Sequence, residues 1–273
     1  MTYLMDQNKH DESDHMFEYQ TIEQMRRWFQ MGGIKKGMKV LSVGPCNLRE
    51  LCVLYEITQR PVIGVELDAG CVFVGNQTAQ EWWLKRSGVG ECPITFIQAD
   101  VQDHLPVLDE TVNAVVSIRV FSYLADPQKA LVNIFQSLRP GGLCLVGDID
   151  GCASFHDGMD KDLEDQLARI LFVLRQTKQF DSNIGRQLYR LFCQAGFVDL
   201  NVSIEPYHLI AGKIGSFDEQ HWLLKLETLR QIGERVLGGT YAYEVFTQRM
   251  LAFLRETQTF TYSMFVLVKG IKS

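Results

Sequence analysis

The chain has 273 residues, a net charge of −6, 46% hydrophobic and 22% charged residues. That length admits one large domain, or one with a sizeable insertion, and the balance is that of a globular enzyme. The acidic charge gives no electrostatic reason to expect a nucleic acid partner, and the longest apolar runs, such as 112–120 with Arg119 inside it, fall short of a membrane span.

Residues 1–18 are polar, and Phe17 and Tyr19 precede a helix over Thr21–Met31, with Ile22, Met25, Trp28 and Phe29 at helical spacing. The N-terminus lacks the basic and apolar regions of a signal peptide, so the expected location is the cytoplasm. Lys39–Val43 reads as a buried strand and Gly44 as a tight turn. Asn47–Thr58 reads as a helix, with Asn47 as N-cap and Glu50 closing a capping box. Val62–Glu66 is a second strand. Asp68 can cap a helix to about Lys85, and Ile94–Ala99 is a third strand followed by the turn Asp100–Asp103. Val112–Ile118 is a fourth. Asp126-Pro127 opens the next helix with a cap and a proline at its first position, and Leu143–Ile149 is a fifth strand. Helices are expected over Met159–Thr177 and Gly185–Gln194, then strands over Val198–Ile204 and Thr261–Val268. The residues between those strands, Tyr207–Thr257, read as a mostly helical cap.

Continuous apolar strands separated by helices imply an α/β fold with a mostly parallel, seven-stranded sheet covered on both faces. The expected divisions are an N-terminal helical segment (1–37), a core (38–205) with a helical insertion near 151–182, a helical cap (206–258) and a last core strand (259–273). The seven cysteines form no CxxC pair, and no histidine or carboxylate set has ligand spacing, so reduced thiols and no metal are expected.

Ligands of open parallel sheets bind beyond the carboxyl ends of the strands. Gly44 lets the backbone approach a ligand closely, and the helix after it points free N–H groups the same way. Glu66 can accept from both hydroxyls of a ribose. Asp100 can accept from an adenine amine, while the N–H of Val101 donates to a ring nitrogen. Ser117 can offer a carbonyl or hydroxyl to a cationic ligand. His156 and His208 are the candidate catalytic bases, because each follows a strand. Phe155, Tyr207, Trp222, Tyr241, Tyr243 and Phe246 would suit an apolar or aromatic small molecule, or simply pack the cap.

Val40–Gly44, Gly64–Asp68, Gln98–Val101, Leu138–Gly142, Gly185–Leu188 with Ala195–Phe197, and Phe265–Lys269 resemble the class I S-adenosylmethionine-dependent methyltransferases. The likeness is to the small-molecule branch of the ubiquinone/menaquinone-biosynthesis type. It implies a Rossmann-like, doubly wound fold and S-adenosyl-L-methionine as cofactor. Glu66 with the adjoining Leu67 would then hold the ribose and Asp100 with Val101 the adenine. Gly44 and Ser117 would face the methionine end, with Tyr19 closing over the site. The chain departs from the family at Ser42, where an acid is usual, and at Cys46 and Leu48, where glycines are usual. Three outcomes fit: methyl transfer to an O, N or C nucleophile, a cyclase or isomerase that keeps the methyl group, or a non-catalytic binding module.

Overall fold

The computed structural model describes residues 21–45, 47–87, 89–107 and 109–273. Tyr19, Phe17 and Cys46 lie outside the described residues. The first described helix is α1 (Ile22–Gly32), capped by Thr21, whose hydroxyl accepts from the Gln24 N–H at 3.1 Å. It buries Met25, Trp28 and Phe29, and Trp28 stacks on Phe265 with ring centroids 4.2 Å apart. Then follow β1 (Val40–Val43), α2 (Leu48–Thr58), β2 (Val62–Glu66), α3 (Ala69–Ser87), β3 (Ile94–Gln98) and β4 (Val112–Ile118). Asp126 accepts from the Lys129 N–H at 3.0 Å and starts α4 (Pro127–Ser137). The rest is β5 (Leu138–Asp157), α5 (Lys161–Gln176), α6 (Leu188–Ala195), β6 (Val198–Ala211), α7 (Ser216–Leu237), α8 (Thr240–Leu254) and β7 (Phe260–Ile271).

The sheet order is β3-β2-β1-β4-β5-β7-β6. The first five of these strands pair in parallel, and β7 runs antiparallel to both β5 and β6. This is the expected seven-stranded, Rossmann-like sheet. One face buries Leu131, Ile134, Leu188 and Phe192 from α4 and α6. The other buries Trp28, Phe29, Leu51, Leu54 and Ala79 from α1, α2 and α3. Helices on both faces are what a parallel sheet requires, since neither face can meet water.

Two expectations need correction. The strands near the cap are longer than the apolar runs suggest: β5 continues to Asp157, β6 to Ala211 and β7 starts at Phe260. β7 supplies backbone partners out to Phe260 for both neighbours, and register shifts between Asp150 and Phe155 and between Pro206 and His208 carry β5 and β6 past the sheet. The capping box at α2 is also half formed. Asn47 accepts from the Arg49 N–H at 3.0 Å, but Glu50 turns inward and accepts from the Ser42 hydroxyl.

Above the extended strands, α5, α7 and α8 enclose a third apolar cluster around Trp222, Leu226, Tyr243, Phe246 and Met250. The helical part of the last insertion is therefore 216–254, because its first residues belong to β6.

Candidate functional site

The carboxyl ends of β1, β2 and β3 lie side by side. Gly44 has φ +67°, and its N–H donates to the Val65 carbonyl at 2.7 Å. A Cβ at Gly44 would stand 2.4 Å from Val120 Cγ2, so the turn excludes any side chain on two grounds. The first turn of α2 follows, its Arg49 N–H taken by the Asn47 side chain and its positive dipole end toward the turn.

Glu66 ends β2, and its Oε1 accepts from the N–H groups of Leu67 at 2.7 Å and Asp68 at 3.3 Å. These bonds fix the carboxylate over its own turn, while Leu67 is 62% exposed beside it. The Ala99 N–H donates to the Glu66 carbonyl at 3.0 Å and ties the ends of β2 and β3 together. Asp100 accepts through Oδ1 from the Gln102 N–H at 2.8 Å, which sets the direction of the next turn. Val101 is buried, and its carbonyl takes the Asn133 amide at 2.7 Å. Ser117 is fully buried, and its hydroxyl donates to the Val43 carbonyl at 3.2 Å. That hydroxyl knits β4 to β1. The structure thus brings Gly44, Glu66, Leu67, Asp100 and Val101 to one edge, with Ser117 one layer beneath.

A buried polar cluster adjoins the Gly44 turn, and the sequence reading did not assemble it. Ser42 on β1 donates to Glu50 in the first turn of α2, and both are buried. Burial pushes the Glu50 carboxyl up to about 7, although the Ser42 bond and the Arg119 charge pull it back. Arg119, just past β4, has φ +60°, a conformation rare outside glycine and costing about 1 kcal/mol. Its N–H donates to the Gly147 carbonyl at 2.7 Å and its Nη1 to the Tyr207 hydroxyl at 3.2 Å. Burial opposes its charge, but Tyr207, Tyr123 and Asp148 outweigh burial and raise its pKa. Asp148 on β5 accepts from the N–H groups of Ser122 at 2.9 Å and Ile149 at 2.7 Å. Burial still pushes its carboxyl up to about 6. Arg119 as the sole charge in an apolar run was the available signal. The Ser42–Glu50 pairing had none, because a local cap motif explained Glu50.

His156 and His208 come together elsewhere, around Trp222 in the cap. The His156 ring lies 5.8 Å from Trp222 and 5.7 Å edge-on to Phe253, and its Nδ1 bonds the Thr261 hydroxyl at 2.9 Å. His208 is 4% exposed, and its Nε2 accepts from Trp222 Nε1 at 3.2 Å. Burial lowers His156 to about 4 and His208 to about 3. The register shifts in β5 and β6 re-aim these two side chains, since an extra residue reverses the alternation of faces. Of the aromatic set, Trp222, Tyr243 and Phe246 fill the cap core, Phe155 stacks on Tyr262, and Tyr241 is 81% exposed. Tyr207 alone of the six meets the buried cluster. Among the described residues no helix is long and apolar enough to cross a membrane.

Comparison with known proteins bears on the fold. Residues 41–146, which span β1 to the middle of β5, match the model of a methyltransferase domain. A 37.1 kDa protein in transposon TN4556 of Streptomyces fradiae is 34% identical over 95 residues, covering 34% of this chain and 26% of that protein. Phosphoethanolamine N-methyltransferase 2 of Haemonchus contortus, solved with phosphomonomethylethanolamine and S-adenosylhomocysteine, superposes with a TM-score of 0.57 at 16% identity. That superposition covers 92% of this chain and 52% of that one. The [4+2]-cyclase SpnF superposes with a TM-score of 0.55 at 16% identity over 92% of this chain and 80% of that one. The chain thus spans about a quarter of the curated relative and about half of the Haemonchus structure. The chain shares its fold with these solved proteins, a methyltransferase and a cyclase among them. The match to a methyltransferase domain covers residues 41–146, less than half of the chain, and the remaining described elements complete the sheet and add the cap.

Proposed function

We propose that the chain binds S-adenosyl-L-methionine along the ends of β1, β2 and β3 and transfers its methyl group to an O, N or C nucleophile of a mostly apolar small molecule. The observation that carries this reading is the placement of two carboxylates, Glu66 and Asp100, on adjoining strand ends beside a turn that only glycine can form. The donor set fits the cofactor. Glu66 presents a carboxylate, fixed by two backbone N–H groups, to the ribose hydroxyls, and Leu67 lies against the sugar and base. Asp100 accepts from the adenine amine and the Val101 N–H donates to the ring. Gly44 leaves room for the methionine end, and Ser117 supports the strand beneath it.

When bound, S-adenosylmethionine supplies an electrophilic methyl group on a sulfonium. The protein's part in an in-line displacement is to align the nucleophile and exclude water, and a base is needed only for a protonated nucleophile. His156 and His208 sit in the cap around Trp222 with lowered pKa values, so neither is poised as a base beside the strand ends, and positioning carries the reaction. A second reading, in which the methyl group stays on sulfur, is favoured by Ser42 standing where the family has an acid.

Titration calorimetry with S-adenosylmethionine and S-adenosylhomocysteine tests binding, with micromolar affinity expected. Incubation with methyl-labelled cofactor and candidate small molecules then decides between the readings. Label appearing in product supports transfer, whereas turnover with all label retained on the cofactor supports the second.

A further inference from the structure

Behind the Gly44 turn the described residues hold one guanidinium and two carboxylates away from water. Arg119 is faced by Glu50 from α2, Asp148 from β5, Tyr207 from β6 and Tyr123 from the turn after β4. Asp148 receives two backbone N–H groups, so it ionises first and balances Arg119. Glu50 has the neutral Ser42 hydroxyl as its donor. Ionising Glu50 as well sets a second negative charge against the one guanidinium among the described groups, in a site shielded from water, which is costly. A proton on Glu50 removes that cost, and so does a positive charge on a ligand in the adjoining turn.

Building on the reading above, we propose that Glu50 reads the charge of the cofactor: it keeps its proton beside a neutral thioether and releases it to solvent beside a sulfonium. One proton leaves for each sulfonium bound, and one returns when the ligand sulfur is neutral. The site thereby prefers the charged cofactor to its demethylated form and favours release of the latter. Burial, which holds Glu50 at about 7, places this exchange near neutral pH.

The test is titration calorimetry of the full chain with S-adenosylmethionine and with S-adenosylhomocysteine between about pH 6 and 8, in two buffers of different ionisation enthalpy. Affinity for S-adenosylmethionine should rise about tenfold per pH unit below about 7 and then level, with about one proton released, while S-adenosylhomocysteine affinity stays flat. Glu50→Gln still accepts from Ser42, so it should bind S-adenosylhomocysteine as before but lose both the slope and the preference for the sulfonium. Ser42→Ala removes a bond to the ionised carboxylate and should move the break to higher pH. A pH-independent ratio in the natural chain, or an unchanged slope in Glu50→Gln, would overturn the proposal while leaving the binding site in place. Failure of both ligands to bind would instead overturn the functional reading, and this proposal with it.

Discussion

The strand-end site and the cap bury ionisable groups in opposite ways. Near Gly44, Glu50 and Asp148 share the field of a single described guanidinium, Arg119, so small changes in ligand or pH shift a proton. In the cap, His156 and His208 are held neutral among Trp222, Phe253 and Thr261 by burial. One region is arranged to exchange charge and the other to exclude it. The difference separates groups placed for a ligand from groups that fill a core.

Breaking the cap should give the largest effect. Trp222→Ala removes a fully buried indole and should cost about 3–5 kcal/mol in denaturant unfolding. S-adenosylhomocysteine binding should survive in the fraction that remains folded. Comparable loss of binding per folded molecule would show that the two regions act as one.

pH separates the regions by sign. A histidine with a lowered folded pKa contributes stability above its ordinary pKa that is lost as pH falls toward the folded value. For His156 and His208 that window runs from 6.5 down to about 4 and about 3, and the loss between pH 7 and 5 should be about 2 kcal/mol per histidine. Glu50 and Asp148 have raised values, so their contribution is present below their ordinary pKa and lost as pH rises toward about 7 and about 6. Between pH 7 and 5 the cap therefore loses stability while the strand-end carboxylates gain it, and the two oppose each other. Replacing both histidines with asparagine should remove the cap's loss, so the variant should gain stability relative to the natural chain as pH falls, and a pH-independent difference between the two would refute the assignment.

Gly44→Ala should cost about 2–3 kcal/mol, from the positive φ and the overlap with Val120, and should weaken cofactor binding in calorimetry. The smallest effect should be a gain. Glu50→Gln removes a buried charge and should stabilise the unliganded chain by on the order of 1–2 kcal/mol above neutral pH, seen in denaturant titrations at two pH values.

The sheet was legible because each core strand is a short apolar run bounded by turn residues, and its helices announce themselves through Asn47, Asp68 and Asp126. The extensions of β5 and β6 were not. The sequence places residues from about 151 and from 206 in helical insertions, and only pairing with a distant β7 makes strand of their first residues. For the same reason His156 and His208 read as residues over the site, since chain position cannot show a reversal of faces at a register shift. Glu66 and Asp100 were visible because strand ends are local features. Ser42 with Glu50, and Arg119 with Tyr207, meet through the fold, and no spacing rule joins them.

Cofactor binding at this edge depends on the carboxylate at the end of β2. Calorimetric titration of S-adenosylmethionine into the natural chain and Glu66→Ala, with unfolding curves confirming that both are folded, addresses it directly. Micromolar binding by the natural chain, weakened at least tenfold in Glu66→Ala, is the predicted result. Equal affinity in the two proteins, or no binding by either, would contradict it.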